Sequence, residues 1–266
     1  MSKDVIIACD FSSSEETLEF LEKMGDKRPY VKIGMELYYA EGPAIVKMLK
    51  LRGHKVFLDL KLHDIPNTVK KAMKVLAGLG VDMCNVHAGG TVDMMKAALE
   101  GLAEGSAEKG GERPLLIAVT QLTSTTEERM RRDLLIDEDM EKVVAHYAFN
   151  AKEAGLDGVV CSPLESKAVH ETCGSGFLTV TPGVRFADDD KGDQARVTTP
   201  ARAKELGSEM CIRDSYGSHI GLPLRPGDPL VREERPAAVG ASSGIHVHKK
   251  RGMRKENVKI IYKSAA

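Results

Sequence analysis

The chain has 266 residues, of which 42% are hydrophobic, so it is long enough to bury a substantial core and to form a single α/β barrel. Its formal net charge is −1, from 38 basic and 39 acidic residues, which excludes a whole-chain attraction to nucleic acid or to an anionic membrane. No apolar run reaches the roughly 20 residues that span a bilayer, and the amino terminus has no signal-peptide pattern, so the sequence predicts a cytoplasmic protein.

Short apolar runs recur along the first two thirds of the chain and predict β-strands. They are continuous rather than alternating, which is typical of parallel strands that are covered on both faces. The predicted strands are residues 5–9, 30–34, 55–60, 83–87, 115–120, 158–162 and 177–181.

Amphipathic segments between these runs predict helices. Ser13 and Glu16 have the spacing of a capping box, and apolar residues with helical spacing follow. Other helices are predicted within residues 69–76, 92–102 and 138–154. Repeated strand–helix units favour a parallel sheet that closes into a TIM-type (β/α)8 barrel. An open doubly wound sheet is the alternative, but no GxGxxG motif follows a predicted strand.

The eighth strand of such a barrel is not evident. After Gly207 the sequence continues Ser-Glu-Met-Cys-Ile-Arg-Asp-Ser, followed by a segment rich in Gly, Pro and Arg and without regular period. We therefore predict a barrel domain over residues 1–207 and an irregular tail over residues 208–266, with the eighth strand doubtful or missing.

The five cysteines are scattered and odd in number, which argues against a disulfide framework. No CxxC or HxxxH spacing suggests zinc, so no metal site is predicted. Cys9, Cys84 and Cys161 are interpreted as small core residues of buried strands.

Charged residues end the third predicted strand. Asp59 and Lys61 are two residues apart, so on a strand their side chains project to the same face. They lie at the carboxyl end, where barrel enzymes build their sites, and Asp64 follows in the loop. Because buried charges need partners, these residues indicate either a catalytic site or a structural ion pair at the rim, and the first is favoured.

Residues 59–68, DLKLHDIPNT, resemble the signature of the orotidine 5'-phosphate decarboxylase family. The resemblance covers about residues 4–207. Further matches occur in order along the chain, at Asp10, Lys32, residues 86–90, residues 119–124, residues 181–185 and residues 193–196.

The resemblance implies a barrel lyase without metal or cofactor that converts orotidine 5'-phosphate to UMP and CO2, the last step of de novo pyrimidine nucleotide synthesis. Asp59, Lys61 and Asp64 would be catalytic, with Lys61 the acid that protonates C6. Asp64 and Thr68 would reach the site of a neighbouring subunit in a homodimer. The other implied substrate contacts are Asp10 and Lys32 at the ribose, Thr123 and Ser124 at the pyrimidine, and Arg185 and Gln194 at the phosphate.

The chemistry fits these roles. Loss of CO2 leaves electron density at C6 in an orbital that the ring cannot delocalise. A fixed ammonium group stabilises that charge and then donates a proton. Neighbouring carboxylates keep Lys61 protonated. His63 and His87 are interpreted as structural.

The sequence departs from the family at its carboxyl end. Family members have a phosphate-binding Gly-Arg pair after strand eight, whereas residues 220–224 read Ile-Gly-Leu-Pro-Leu. Residues 208–215 also resemble adapter read-through, which suggests a chimeric or frameshifted tail. Two alternatives remain open: a magnesium-dependent sugar-phosphate decarboxylase of the same suprafamily, and an inactive remnant.

Overall fold

The computed structural model describes residues 4–184, residue 196 and residues 198–214. Within them, eight parallel strands form a closed barrel in which each strand pairs with its neighbours in sequence order and the last pairs with the first. The strands are β1 (Asp4–Cys9), β2 (Tyr30–Ile33), β3 (Val56–Leu62), β4 (Met83–His87), β5 (Leu115–Val119), β6 (Gly158–Val160), β7 (Leu178–Thr181) and β8 (Met210–Asp214).

Helices connect the strands and cover the outside of the barrel, as right-handed β/α units require. They are α1 (Ser14–Glu22), α2 (Met35–Glu41), α3 (Pro43–Leu51), α4 (Pro66–Ala77), α5 (Thr91–Lys109), α6 (Glu127–Leu134), α7 (Met140–Glu153), α8 (Ser166–Cys173) and α9 (Pro200–Glu205). The hydroxyl of Ser13 caps α1, as its spacing predicted. None of the described helices is long and apolar enough to cross a membrane.

Side chains at successive positions of each strand point alternately into the barrel and towards the helices, which creates two apolar layers. On β1, Ile6 and Ala8 belong to the cluster inside the barrel, whereas Ile7 and Cys9 belong to the larger cluster beneath the helices. Both faces are therefore buried, which explains why the strands are continuous apolar runs.

The predicted barrel and its first seven strands are confirmed, and closure rules out the open doubly wound sheet. The boundaries of the strands differ from those predicted by at most two residues. The two-residue differences are at the ends of β3, which continues to Leu62, and of β6, which stops at Val160. The prediction that four helical segments lie between the strands is also confirmed.

The prediction of irregular structure from residue 208 onward is wrong for Met210–Asp214. These residues form β8, which pairs in parallel with both β1 and β7, so neither strand has the free edge that a missing strand would leave. Met210 and Ile212 are buried inside the barrel at alternating positions. Two inward apolar residues suffice for this short strand, which is why no Val/Ile-rich run marks it. Residues 215–266 lie outside the described residues.

The interpretation of Cys9, Cys84 and Cys161 as core residues is confirmed, since all three are buried with free thiols. Burial, assisted by the charge of Asp10, raises the pKa of the Cys9 thiol to about 12. These thiols therefore stay protonated and act as small apolar groups.

Candidate active site at the carboxyl end of the barrel

Charged side chains project from the carboxyl ends of the first three strands. Asp10 follows β1 directly, Lys32 lies in β2, and Asp59 and Lys61 lie in β3. Because all strands of the barrel are parallel, their carboxyl ends meet at one mouth. The sequence-predicted residues Asp10, Lys32, Asp59 and Lys61 are thereby brought together.

These four residues form an array in which carboxylates and amines alternate. The Nζ atom of Lys32 lies 2.9 Å from Oδ1 of Asp10 and 3.5 Å from Oδ2 of Asp59. On the other side of Asp59, its Oδ1 lies 2.8 Å from Nζ of Lys61. Each inner charge therefore has two opposite charges beside it, which offsets the cost of burying it.

The electrostatics of the two inner members depend on these partners. Burial alone would raise the pKa of Asp59, but the charges of Lys32 and Lys61 and hydrogen bonds from Lys61 and Asn85 together hold it below its ordinary value. Burial likewise opposes the charged form of Lys32, yet Asp59 and Asp10 raise its pKa above the ordinary value. Both groups are therefore ionised at neutral pH.

Lys61 has the more exposed side chain of the two lysines. Its side chain is 26% exposed, against 11% for Lys32, so its ammonium group is accessible from the mouth while it stays bonded to Asp59. Gly34 packs closely against the array, since a Cβ atom there would approach Oδ1 of Asp10 to 3.3 Å and Nζ of Lys32 to 3.4 Å. This end of the barrel therefore presents an accessible ammonium group that is fixed by a buried carboxylate.

The backbone at Lys61 departs from a regular strand. Its φ is 52°, in the left-handed region that non-glycine residues rarely adopt. Between the pairs Leu58–Cys84 and Leu62–Val86, β3 advances four residues while β4 advances two, so β3 bulges at the site. Asp59 and Lys61 therefore lie on the same side, as predicted, but a bulge brings them together instead of the regular alternation of a strand.

Asp64 and Thr68 do not join the array within one chain. Both are exposed, Asp64 in the loop after β3 and Thr68 in the first turn of α4. An Oδ1 atom of Asp64 accepts a hydrogen bond from the backbone N–H of Ile65 at 2.6 Å. No ion pair among the described residues connects Asp64 with Lys61.

Thr123 and Ser124 are half-buried in the loop that follows β5. Arg196 supports this loop, because its guanidinium group donates to the carbonyl oxygens of Gln121 and Leu122 at 3.1 and 3.0 Å. The same guanidinium group pairs with buried Glu165. The predicted phosphate contacts Arg185 and Gln194 lie outside the described residues.

The two histidines lie beside the array, with ring centroids 5.5 Å apart. His87 ends β4 and is half-buried, while His63 is exposed. Burial lowers the pKa of His87, and the charges of His63 and Lys61 lower it further against the opposing effect of Asp59. No hydrogen bond between either ring and the array occurs among the described residues, so the structural interpretation of both stays a prediction.

Two features of the site were not predicted. Asn85 of β4 bonds to both Asp59 and Lys61, and Glu165 pairs with Arg196. The available signal for Asn85 was a single amide inside the apolar run of residues 83–87. No local pattern marks the second pair, because its members are far apart in sequence. Among the described residues, no group of three His, Cys, Asp or Glu side chains is arranged to hold a metal ion.

A closed barrel of parallel β/α units with an acid–base array at its carboxyl end defines a β/α-barrel enzyme of the acid–base type. The family described as Orotidine 5'-phosphate decarboxylase / HUMPS matches residues 3–212. The chain belongs to this family. The match ends inside β8, in agreement with a barrel that includes this strand.

Individual relatives are similar over the same region. Orotidine 5'-phosphate decarboxylases of Bacillus anthracis and Bacillus cytotoxicus are 58% and 59% identical over 212 residues, which are 80% of this chain and 89% of each relative. A solved structure described as an uncharacterized conserved protein from Geobacillus kaustophilus is 49% identical with a TM-score of 0.72, over 85% of this chain and 94% of that one. Orotidine 5'-phosphate decarboxylase from Lactobacillus acidophilus is 43% identical with a TM-score of 0.71, over 80% and 90% of the two chains.

Proposed function

We propose that this protein decarboxylates orotidine 5'-phosphate to UMP and CO2 in pyrimidine nucleotide synthesis, without a metal or an organic cofactor. The observation that carries the proposal is the ammonium group of Lys61, held 2.8 Å from the carboxylate of Asp59 at the mouth of the barrel. The names and the identity of the relatives support the same substrate.

The reaction needs a cation where the carboxylate departs. As the C6–carboxylate bond breaks, its electron pair stays on C6 and CO2 leaves. Lys61 stabilises this charge because its position is fixed before the reaction and requires no solvent reorganisation. Its proton then moves to C6, which gives UMP and a neutral amine that takes up a proton from solvent. Asp59 orients the amine through their ion pair at 2.8 Å.

Binding of the rest of the nucleotide is assigned to the remaining predicted residues. Asp10 and Lys32 are expected to hold the ribose hydroxyls, and their hydrogen bond at 2.9 Å places a donor and an acceptor side by side. Thr123 and Ser124 are expected to contact the pyrimidine. Arg185 and Gln194 remain the proposed phosphate contacts. Binding energy from the phosphate can then be used at the reacting carbon.

We also propose a homodimer in which Asp64 and Thr68 complete the site of the partner subunit. In support, both residues are exposed and stand apart from the array of their own chain. Ile65 between them is 67% exposed, so this loop is accessible to a partner subunit. We place the enzyme in the cytoplasm, where the free thiols of the described cysteines stay reduced.

Substitution of Lys61 tests the proposal. In Lys61→Ala, the proton donor at C6 is lost, so we expect decarboxylation to fall about 10³-fold or more. The assay follows the absorbance of orotidine 5'-phosphate as it converts to UMP. Lys70→Ala is the matched control, since the ion pairs of this α4 lysine within the described residues go to exposed glutamates of α5, and its turnover should equal that of the unsubstituted chain. Near-normal turnover of Lys61→Ala refutes the assigned role.

The same assay separates the two alternatives. Turnover that EDTA abolishes would indicate the magnesium-dependent sugar-phosphate branch, whereas we expect no effect of EDTA. To test the inactive remnant, the full chain is compared with a variant that carries a family-like Gly-Arg pair after β8. We expect little turnover in the full chain and clear turnover in the variant, because a helix N-terminus with an arginine binds phosphate. Every turnover comparison of point substitutions is therefore made in the background of this variant as well as in the full chain. Absence of turnover in both would overturn the proposed function.

A further inference from the structure

Asn85 is a polar residue inside an otherwise apolar strand. It lies in β4 between Cys84 and Val86, and only 2% of its surface is exposed. An amide that is buried without hydrogen bonds costs about 1–3 kcal/mol on the scale of protein substitutions. The burial of this amide is therefore tolerated only if its polar atoms form hydrogen bonds inside the barrel.

Its two polar atoms bond to two different parts of the active site. Nδ2 of Asn85 donates to Oδ1 of Asp59 at 2.6 Å, and Oδ1 of Asn85 accepts from the backbone N–H of Lys61 at 2.8 Å. A backbone N–H is only a donor and an ionised carboxylate only an acceptor, so the orientation of the amide is fixed by its partners. A group with one donor and one acceptor is required at this position.

The second bond compensates for the bulge of β3. The ladder between β3 and β4 is interrupted between Leu58 and Leu62, and Lys61 has a left-handed backbone there. A conformation of this kind persists only where surrounding structure holds it, at a cost of about 1–3 kcal/mol. The side chain of Asn85 provides the acceptor that the interrupted ladder does not.

We infer that Asn85 is a positioning residue for the decarboxylation, which holds the carboxylate of Asp59 and the strained backbone of Lys61 in register so that the Lys61 ammonium group points at the substrate. This inference rests on the proposed function. The hydrogen bonds of Asn85 go to the carboxylate of Asp59 and to the backbone of Lys61, so it acts through these two residues.

Asn85→Asp distinguishes positioning from packing. The substituted carboxyl has nearly the same shape and still accepts from Lys61, but two carboxylates about 2.6 Å apart repel each other, so the pair keeps one proton to a higher pH than an isolated carboxyl does. In its protonated form the new group donates to Asp59 as the amide does. Once deprotonated, it repels Asp59 and competes for Lys61. The other charged and titratable groups around the pair are Asp10 on β1, Lys32 on β2, and His63 and His87 beside Lys61, and these are unchanged by the substitution.

The experiment measures kcat and KM between roughly pH 5 and roughly pH 9 for the unsubstituted chain, Asn85→Asp and Asn85→Leu. At each pH, the kcat of a variant is divided by the kcat of the unsubstituted chain, so that the titration of the histidines, which all three proteins share, cancels. For Asn85→Asp we expect kcat near that of the unsubstituted chain in acid and a loss of about 30-fold above the pKa of the coupled carboxyls, as for removal of a hydrogen bond to a charged group. For Asn85→Leu we expect a similar loss at every pH. In both variants KM should change less than kcat.

A matched control is Thr179→Val on β7, which alters another fully buried polar residue of the barrel wall, whose hydroxyl has no hydrogen-bond partner in the part of the chain that the structure describes. It should leave the pH profile unchanged. A ratio for Asn85→Asp that does not vary with pH, or a kcat for Asn85→Leu within a factor of about two of normal, would overturn the inference.

Amide hydrogen exchange at Lys61 tests the positioning role of Asn85 independently of whether the chain has decarboxylase activity. This N–H should be protected in the unsubstituted chain and in Asn85→Asp, and should exchange much faster in Asn85→Leu. If the chain decarboxylates nothing but shows this pattern, the proposed function fails while the positioning of Lys61 stands. If protection at Lys61 is the same in all three proteins, the positioning role is wrong. Should Asn85→Leu fail to fold, Asn85→Asp alone decides through its pH profile.

Discussion

Lys32 holds the inner part of the array together. Its amine lies within ion-pair distance of both Asp10 and Asp59, and its side chain is 11% exposed. Asp59 has two amines beside it, but Asp10 has only Lys32 among the ion pairs of the described residues. Removal of one partner of a buried pair is far more damaging than loss of an exposed pair, because the remaining charge stays buried.

We therefore predict that Lys32→Met destabilises the protein at neutral pH by about 3 kcal/mol. In the unsubstituted chain, the pKa of Asp59 is lower in the folded protein than in the unfolded one. Ionised Asp59 therefore adds to the free energy of unfolding above the pKa of an unfolded aspartate, and this addition is lost as pH falls through the lower pKa of the folded protein. In the variant, this pKa rises because a neighbouring positive charge is gone. The difference in stability should shrink as pH falls below about 4.

Urea denaturation at a series of pH values checks this prediction. Lys70→Met is the control, because half-buried Lys70 pairs with the exposed carboxylates of Glu100 and Glu104, where screening by water leaves little to lose. A difference between Lys32→Met and the unsubstituted chain that stays constant down to about pH 3 would contradict the linkage to Asp59.

At the scale of elements, the close packing of α4 against α5 sets the position of the loop that carries Asp64. Gly101 and Gly105 lie one turn apart on α5, and a Cβ atom at either would overlap the backbone carbonyl of Lys70 or Lys74 on α4. Helix α4 begins at Pro66, two residues after Asp64. The absence of two side chains thus allows α4 to lie close to its neighbour.

Gly101→Ala tests this contact. Alanine is better than glycine in a helix by about 1 kcal/mol, but overlap with backbone cannot be relieved by rotating a side chain. We expect a net destabilisation of about 2 kcal/mol, measured as a lower urea midpoint. Gly111→Ala is the control, since a Cβ atom there meets nothing within 4 Å. A Gly101→Ala protein as stable as the unsubstituted chain would show that the two helices separate easily.

The sequence predicted those elements whose signal is local. Seven strands are buried on both faces and so are visible as apolar runs, and the charges that end β3 are conspicuous because charge is costly there. What escaped prediction depends on distant parts of the chain. The bulge at Lys61 arises from the pairing of β3 with β4, and β8 is specified by the barrel interior that receives Met210 and Ile212.

At the scale of the whole molecule, the proposed dimer makes a prediction that contacts within one chain do not make. If Asp64 serves the partner's site, inactive Lys61→Ala and inactive Asp64→Ala chains should regain activity when they are mixed and allowed to exchange subunits. In the mixed dimer, the site built on the intact Lys61 receives Asp64 from the partner. Because half of the dimers are mixed and each has one complete site, we expect about a quarter of normal activity.

The measurement is turnover of orotidine 5'-phosphate before and after subunit exchange, with sedimentation to verify the dimer. Each variant mixed with itself is the control. If Asp64 serves its own chain, every site in the mixture lacks one residue and no activity returns. A monomer in sedimentation would likewise contradict the proposal.

The left-handed backbone of Lys61 places one position under two opposed demands. Glycine would occupy this φ without strain, yet only a long amine reaches the carboxylate of Asp59. Selection for turnover and selection for a stable fold therefore act in opposite directions at residue 61. The enzyme trades part of its conformational stability for chemistry at this point, and the neighbouring strand limits the loss.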